Sequence, residues 1–197
     1  MTNQSHPTHR RTAAVITISD ACSRGLREDL SGPAVTRTLD AHNFQTVLRD
    51  TVPDERKAIE DALRRAAGKA RLVVTTGGTG IGPRDITPEA TRAVCERLLE
   101  GVAELMRAEG RHQTPMAVLS RAVCGTLGPA VILNVPGSPA GAVSSLRAAL
   151  PVLPHALDLL DGKTEHGSAD EARNDTQRAM KLAMGHGKRG HRNKGKG

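Results

Sequence analysis

A length of 197 residues suits one domain with its own core, and without an apolar run near about 18 residues we expect no membrane span or signal peptide and a cytoplasmic protein. Three cysteines without paired spacing predict reduced, mostly buried thiols and disfavour a disulfide framework or a zinc site. The net charge of +7 is weak support for nucleic-acid binding. Residues 163–197 carry nine Lys or Arg against four Asp or Glu, and the one aromatic residue, Phe44, offers no stacking platform.

The first third of the chain predicts a disordered arm over residues 1–12, a buried strand over 13–19 and a polar loop over 21–31. Gly32 and Pro33 then start a helix, residues 44–52 alternate as a second strand, and a helical apolar pattern follows from Ala58. Asp20 follows the first strand at the edge where open α/β sheets bind ligands. Asp54 follows the second strand, where it can cap the next helix, face a ligand, or do both.

The remaining elements continue the alternation of strands and helices. Residues 72–74 predict a strand covered on both faces, residues 88–99 and 102–109 predict helices separated at Gly101, and residues 114–120 predict a strand. A turn over 125–129, a strand over 130–135 and helices over 139–150 and 151–160 complete the domain. We therefore predict a single α/β domain over residues 13–162, with a mainly parallel sheet and helices on both faces in three layers. Residues 163–197 predict a basic, disordered tail, with contact to RNA or an acidic partner as the alternative.

The central motif is the loop that follows the strand at residues 72–74. Gly77, Gly78, Gly80 and Gly82 remove four β-carbons within six residues, so backbone N–H groups can approach an anion closely. Thr87 and Pro88 then predict the N-cap and first residue of a helix whose positive end favours phosphate.

Two common glycine motifs do not account for this loop. It lacks the lysine of a P-loop, and Pro83 stands where a dinucleotide fingerprint would place its third glycine. A plain turn between strand and helix is the structural alternative to an anion site.

Other polar residues are predicted at the same edge of the sheet. Arg121 either lies on the surface or contacts an anion. Asn134 and Ser138 offer polar groups beside Gly137, although a plain turn with Ser138 as N-cap accounts for that sequence equally well. Because carboxylates and phosphate-binding amides gather at this edge, the sequence predicts a magnesium site and nucleotide chemistry.

The segment TTGGTGIGPRDITPEAT closely resembles the signature of molybdenum cofactor biosynthesis proteins of the MogA and MoaB type and of the G domains of plant Cnx and gephyrin. The motifs ITISDACS, SGP, VPDE, LSR and ILNVPGSP follow in the family's order, over roughly residues 13 to 162. One departure is Gly110, at a position where such proteins often carry a serine that contacts the pterin.

The resemblance implies a molybdopterin adenylyltransferase that joins AMP from MgATP to the terminal phosphate of molybdopterin. The alternative is an inactive, MoaB-like pterin-binding protein. The resemblance also implies a homotrimer and a molybdenum insertase as a possible partner. Catalytic and Mg²⁺-binding roles are implied for Asp54 and Asp85. Substrate contacts are implied for Asp20, Ser31, Gly77, Gly78, Thr79, Gly80, Arg84, Ser120, Arg121, Asn134, Pro136, Gly137 and Ser138.

Overall fold

A computed structural model describes residues 11–163, in which strands and helices alternate along the chain. The strands are β1 Arg11–Ile18, β2 Phe44–Val52, β3 Leu72–Thr76, β4 Arg97–Leu98, β5 Cys124–Leu127 and β6 Ala130–Val135. The helices are α1 Asp20–Ser23, α2 Ser31–Asp40, α3 Arg56–Ala67, α4 Thr87–Val94, α5 Glu100–Gly110, α6 Pro139–Ala149 and α7 Leu153–Leu160, with a 3₁₀ helix over Pro115–Leu119.

The six strands form one sheet in the order β2-β1-β3-β6-β5-β4. The first four in that order run parallel, whereas β5 and β4 are antiparallel to their neighbours. Thr17 of β1 pairs with Thr76 of β3, and Thr76 pairs with Val135 of β6, so these strands end at nearly the same level. The loops that follow them therefore lie side by side at one edge of the sheet, as the sequence predicted.

Helices cover both faces of the sheet, which confirms the predicted architecture. On one face α2, α5, α6 and α7 bury an apolar cluster that includes Leu39, Met106 and Leu146. On the other face α3 and α4 bury a second cluster around Ile59 and Leu63. Each central strand contributes side chains to both clusters, since successive residues of a strand point to opposite faces. This explains why β1, β3 and β6 read as continuous apolar runs.

Two boundaries in the N-terminal region differ from prediction. Arg11 and Thr12 belong to β1, not to an arm, and Arg11 forms an ion pair with Asp158 of α7 at 2.8 Å. The predicted loop over 21–31 contains the end of α1, whose N-cap Ser19 accepts a hydrogen bond from the Cys22 N–H. Residues 1–10 and the predicted tail, apart from Lys163, lie outside the described residues.

The predicted helix over 88–99 is wrong beyond Val94. Cys95 takes an extended conformation, and Arg97 and Leu98 form β4, which pairs with β5. The predicted turn over 125–129 is mostly strand, and the chain reverses only at Gly128, whose φ is 52°. Gly101 does not interrupt a helix but lies in the first turn of α5.

The predicted strand over 114–120 is also wrong. The segment forms a 3₁₀ helix that begins after Thr114, whose hydroxyl accepts a hydrogen bond from the Met116 N–H at 3.3 Å. Pro115 supplies no backbone donor for a sheet, and the apolar side chains of Met116 and Val118 are exposed. The apolar alternation here marks a surface segment and not a half-buried strand. None of the helices in residues 11–163 has the length and apolar character to cross a bilayer.

Candidate functional site

The glycine-rich loop after β3 is held at both ends by hydrogen bonds to neighbouring elements. The Gly77 N–H donates to the Val135 carbonyl at 3.2 Å. Thr87 donates twice, from its hydroxyl to the Gly77 carbonyl at 3.0 Å and from its N–H to the Gly78 carbonyl at 3.1 Å. Thr87 is therefore not the predicted N-cap of α4, since its hydroxyl serves the loop and Ile86 occupies the cap position without a side-chain bond.

Two of the turns at this edge need glycine because they pack on backbone. Gly77 has φ 106°, and a β-carbon there would overlap the Ile18 carbonyl oxygen. Gly137, in the turn after β6, would place a β-carbon 3.2 Å from the Gly77 Cα. The Thr76 hydroxyl donates to the Pro136 carbonyl at 2.7 Å and joins the same two turns. A plain turn between strand and helix therefore accounts for Gly77 and Gly137. It does not account for the backbone N–H groups of Gly78, Thr79 and Gly80.

The N–H groups of Gly78, Thr79 and Gly80 have no acceptor within residues 11–163. Thr79 as a whole is only 6% exposed, and it lines a cavity beside the loop. Backbone donors that are left unpaired in a sheltered loop are unusual, and successive ones form a concave site for an anion. This arrangement is what a phosphate-binding loop requires.

Asp20 and Asp54 tie the ends of β1 and β2 together. The Asp20 N–H donates to Asp54 Oδ2 at 2.8 Å, and the Asp54 N–H donates to Asp20 Oδ1 at 3.2 Å. Asp54 does not cap α3, because Glu55 is the N-cap and makes no side-chain bond, so the capping interpretation is wrong.

The other Asp20 oxygen pairs with Arg84 from the glycine loop. Partial desolvation alone would raise the pKa of Asp20. The hydrogen bonds from Arg84 and the Asp54 N–H, together with the guanidinium charge, outweigh that effect and hold the pKa below its ordinary value. Asp20 and Arg84 are thus a charged link that connects the end of β1 to the tip of the loop.

Asp85 and Asp54 suit a divalent cation. Asp85 Oδ2 accepts from the Gly82 N–H at 2.7 Å, which leaves Oδ1 of both aspartates without a hydrogen-bond partner among the described residues. Asp54 Oδ1 lies 3.3 Å from the point where a Gly78 β-carbon would stand, so it faces the glycine loop. Mg²⁺ prefers one or two carboxylates combined with phosphate oxygens, and this donor set fits that preference.

Two cavities open beside the loop. The first, which we call the carboxylate cavity, has a volume of about 580 Å³. Its lining includes Thr17, Cys22, Arg27, Asp29, Ser31, Asp54, Gly77, Gly78, Arg84, Asp85, Gly137 and Ser138. The second, which we call the serine cavity, has a volume of about 430 Å³. Its lining includes Gly78, Thr79, Gly80, Asp85, Met106, Arg107, Gln113, Ser120, Pro136, Gly137, Ser138, Ser144 and Ser145.

The two cavities share one wall. Gly78, Asp85, Gly137 and Ser138 border both of them, whereas Asp54 borders only the carboxylate cavity. Two ligands, one in each cavity, would therefore meet at a wall that carries a carboxylate and glycine backbone.

Arg121 braces the loop. Its Nε donates to the Gly80 carbonyl at 2.6 Å, and its terminal nitrogens bind the Asp85 carbonyl and the Glu89 carboxylate. Partial burial favours a higher pKa for Glu89, but the hydrogen bond and charge of Arg121 lower it overall. Arg121 borders neither of these two cavities, and its described contacts hold the glycine loop in place. The anion contact expected for Arg121 stays a prediction.

Asn134 is also not placed to contact a ligand. Its side chain is fully buried, it accepts from the Val123 N–H at 3.3 Å, and it donates to the hydroxyls of Thr75 and Thr91 at 2.9 Å each. The predicted substrate contact at Asn134 is therefore replaced by a structural role that connects β6, β3 and α4.

This role predicts a stability effect for Asn134→Ala. The variant leaves the Val123 N–H and two threonine hydroxyls without their buried partner, so we expect a loss of about 2–3 kcal/mol in the free energy of unfolding. Urea denaturation measures that loss. An unchanged free energy of unfolding would show that Asn134 does not have this structural role.

A family profile described as "Probable molybdopterin binding domain" matches residues 14–155. The chain belongs to this family. It is 41% identical over 152 residues to the molybdopterin adenylyltransferase of Helicobacter pylori, covering 75% of this chain and 86% of that protein. It is 39% identical over 153 residues to the molybdenum cofactor synthesis protein cinnamon of Drosophila melanogaster, covering 76% of this chain and 25% of that protein.

A solved structure extends the likeness to the fold. The molybdopterin biosynthesis enzyme MoaB of Thermus thermophilus aligns with a TM-score of 0.73 at 48% identity, covering 78% of this chain and 98% of that one. These matches confirm the resemblance that the sequence motifs indicated, over nearly the same range of residues.

Several residues that line the cavities of this family member were not predicted from its sequence. Asp29 accepts from the Thr17 hydroxyl at 2.7 Å and the Gly32 N–H at 2.9 Å, which fixes the start of α2 beneath the carboxylate cavity. The sequence signal for this role was an aspartate three residues before Gly32, where a predicted helix starts and a carboxylate can accept from a backbone N–H. Arg27 and Arg107 carried no such local signal, because only the tertiary fold brings them to the cavities.

Gly110 lines the serine cavity where α5 ends. A β-carbon there would come 2.8 Å from the Ala117 Cβ, so the 3₁₀ helix packs where a serine side chain would stand. A serine at this position would therefore require a shift of the 3₁₀ helix.

The cysteines are expected to differ in reactivity. Cys22 lines the carboxylate cavity, whereas burial raises the pKa of Cys95 to about 11 and that of Cys124 to about 12. Thiolate is the reactive species, so at pH 8 a maleimide is expected to modify Cys22 first. Mass spectrometry of the labelled peptides gives the order. Labelling of Cys95 or Cys124 before Cys22 would contradict this prediction.

Proposed function

We propose that this protein is a molybdopterin adenylyltransferase, which transfers AMP from MgATP to the terminal phosphate of molybdopterin and releases pyrophosphate. The observation that carries the proposal is the wall shared by the two cavities, because a transfer between two phosphate-bearing substrates needs both to meet at one point. The name of the Helicobacter pylori relative supports the same reaction.

The chemistry of the linings supports the proposal of one substrate in each cavity. The carboxylate cavity, with Asp54 and Asp85, is assigned to MgATP. The serine cavity combines hydroxyl groups with the apolar side chains of Met106, Met116 and Leu119, which suits a flat heterocycle that carries a phosphate, and it is assigned to molybdopterin.

In the reaction an oxygen of the pterin phosphate attacks the α-phosphorus of ATP. The new P–O bond forms as the bond between the α-phosphorus and its bridging oxygen breaks, and pyrophosphate leaves with that oxygen. The attacking phosphate is already anionic near neutral pH, so the reaction needs no strong general base. No histidine lines either cavity in the described part of the chain.

The protein's contribution is to position the reactants and to neutralise charge. The unpaired N–H groups of Gly78, Thr79 and Gly80 are assigned to phosphate oxygens beside the shared wall. Asp54 and Asp85 would hold Mg²⁺ through their unused oxygens, and the ion would neutralise negative charge on the reacting phosphates. Ser31 and Arg84 are assigned to the nucleotide, and Ser120 and Ser138 are assigned to the pterin. Asp20 holds the ends of β1 and β2 together, and Arg121 holds the glycine loop in place. Both therefore position the residues assigned to the substrates.

Three further features are proposed from the family resemblance. They are a homotrimeric assembly, a molybdenum insertase as partner and a cytoplasmic location. Size-exclusion chromatography with light scattering tests the first of them directly.

The decisive assay incubates the protein with molybdopterin, Mg²⁺ and ATP labelled in its α-phosphate. The expected result is a labelled AMP–pterin product and one pyrophosphate released per product. Tight molybdopterin binding without this product would instead establish the non-catalytic, MoaB-like alternative.

A further inference from the structure

The lining of the serine cavity includes one cationic residue, Arg107, to which the proposed reaction assigns no role. Arg107 lies half-buried in the last turn of α5 and is the only Lys or Arg that lines this cavity among the described residues. Within residues 11–163 its guanidinium forms no ion pair and no side-chain hydrogen bond. A partly buried guanidinium without a partner is ready to receive an anion.

The other arginines around the glycine loop are already engaged. Arg84 is paired with Asp20, and Arg121 is paired with Glu89 and with two loop carbonyls. The charge of both guanidinium groups is therefore already matched by a carboxylate of the protein, whereas no carboxylate of the described residues pairs with Arg107.

The groups around Arg107 suit a phosphate ligand better than an ion pair with a carboxylate of the protein itself. It also borders a third cavity, lined in part by Arg92, Glu100 and Glu104, but neither glutamate forms an ion pair with it. On the serine-cavity side, the hydroxyls of Ser120, Ser138, Ser144 and Ser145 are further hydrogen-bonding groups. One guanidinium combined with several hydroxyls is a common set of partners for a phosphate group.

We propose that Arg107 is the cationic contact for the phosphate of the pterin substrate in the serine cavity. The inference rests on the proposed function and adds a specificity determinant to it: a pterin that carries a phosphate is selected over one that lacks it. Because that phosphate is charged both before and during the transfer, Arg107 contributes to binding more than to the chemical step.

The test compares Arg107→Gln and Arg107→Lys in the full-length protein. Calorimetry with molybdopterin is expected to show Kd raised about 10- to 100-fold in Arg107→Gln, with partial recovery in Arg107→Lys, which keeps the charge but loses the planar fork. KM for molybdopterin is expected to rise more than kcat falls. Kd for MgATP is expected to stay constant, which also shows that the variant is folded.

Arg92→Gln is the matched control, since exposed Arg92 lines only the third cavity. It is expected to bind molybdopterin as the wild type does. The inference is overturned if Arg107→Gln binds molybdopterin with wild-type affinity, or if Arg92→Gln weakens binding equally. Formation of AMP–pterin by the wild type is measured separately, so either result would leave the proposed function standing. A wild-type protein that does not bind molybdopterin would overturn both.

Discussion

Replacing Asp85 with asparagine is expected to slow formation of AMP–pterin by at least about 100-fold. Asparagine can still accept the hydrogen bond from the Gly82 N–H, so the loop keeps its shape, but the negative charge beside the shared wall is lost. Molybdopterin binding is expected to remain largely intact, because the serine cavity keeps its shape and its other contacts. Single-turnover assays and calorimetry measure the two effects separately.

Asp61→Asn is the control for this change. Asp61 lies on α3, outside both cavities, and its carboxylate pairs with Lys57 at 2.6 Å. An exposed pair of this kind contributes little to stability, so turnover and folding are expected to match the wild type. Full activity in Asp85→Asn would remove the metal role from Asp85.

The Gly77→Ala substitution is expected to destabilise the protein by about 3 kcal/mol or more, or to prevent accumulation of folded protein. Backbone strain and steric overlap both destabilise the folded state of this variant. Gly77 has φ 106°, which alanine rarely adopts, and the added β-carbon would overlap the Ile18 carbonyl oxygen in β1. Because the obstacle is backbone and not a flexible side chain, the surroundings cannot relax cheaply. Urea denaturation monitored by circular dichroism measures the loss.

Gly101→Ala provides the comparison. Gly101 is helical, and nothing lies within 4 Å of the position its β-carbon would take. Alanine there is expected to be neutral or to stabilise the protein by up to about 1 kcal/mol. Equal stabilities for Gly77→Ala and Gly101→Ala would show that the close approach of Gly77 to β1 is not required.

The sequence predicted the sheet well because its buried strands have a simple physical signature. β1, β3 and β6 are covered on both faces and read as continuous apolar runs. Glycine follows the run of β3, and proline stands on both sides of the run of β6. The parallel arrangement then places the glycine loop, Asp20 and Asp54 at one edge. These inferences need only local periodicity and the rule that parallel strands end together.

The errors arose where tertiary contacts override local pattern. Thr87 has the sequence of an N-cap, but its hydroxyl binds the Gly77 carbonyl because the fold brings that group within 3.0 Å. Asn134 follows an apolar run near the ligand edge, but its side chain points into the protein and satisfies three groups there.

Arg107 was missed for a similar reason. It lies in a helix with an ordinary amphipathic pattern, and only the packing of α5 beside the glycine loop brings it to the serine cavity. Sequence periodicity identifies which elements form, but it does not identify which side chains of distant elements border the same cavity.

In the proposed reaction two substrates meet at the wall formed by Gly78, Asp85, Gly137 and Ser138. A crystal structure with bound AMP–pterin tests it most directly. We expect the pterin beside Met106 and Ser120, the nucleotide beside Asp29 and Asp54, and the bridging phosphates against the glycine backbone of that wall. Density showing both halves of the product in one cavity, or the phosphates bound away from Asp85, would contradict it.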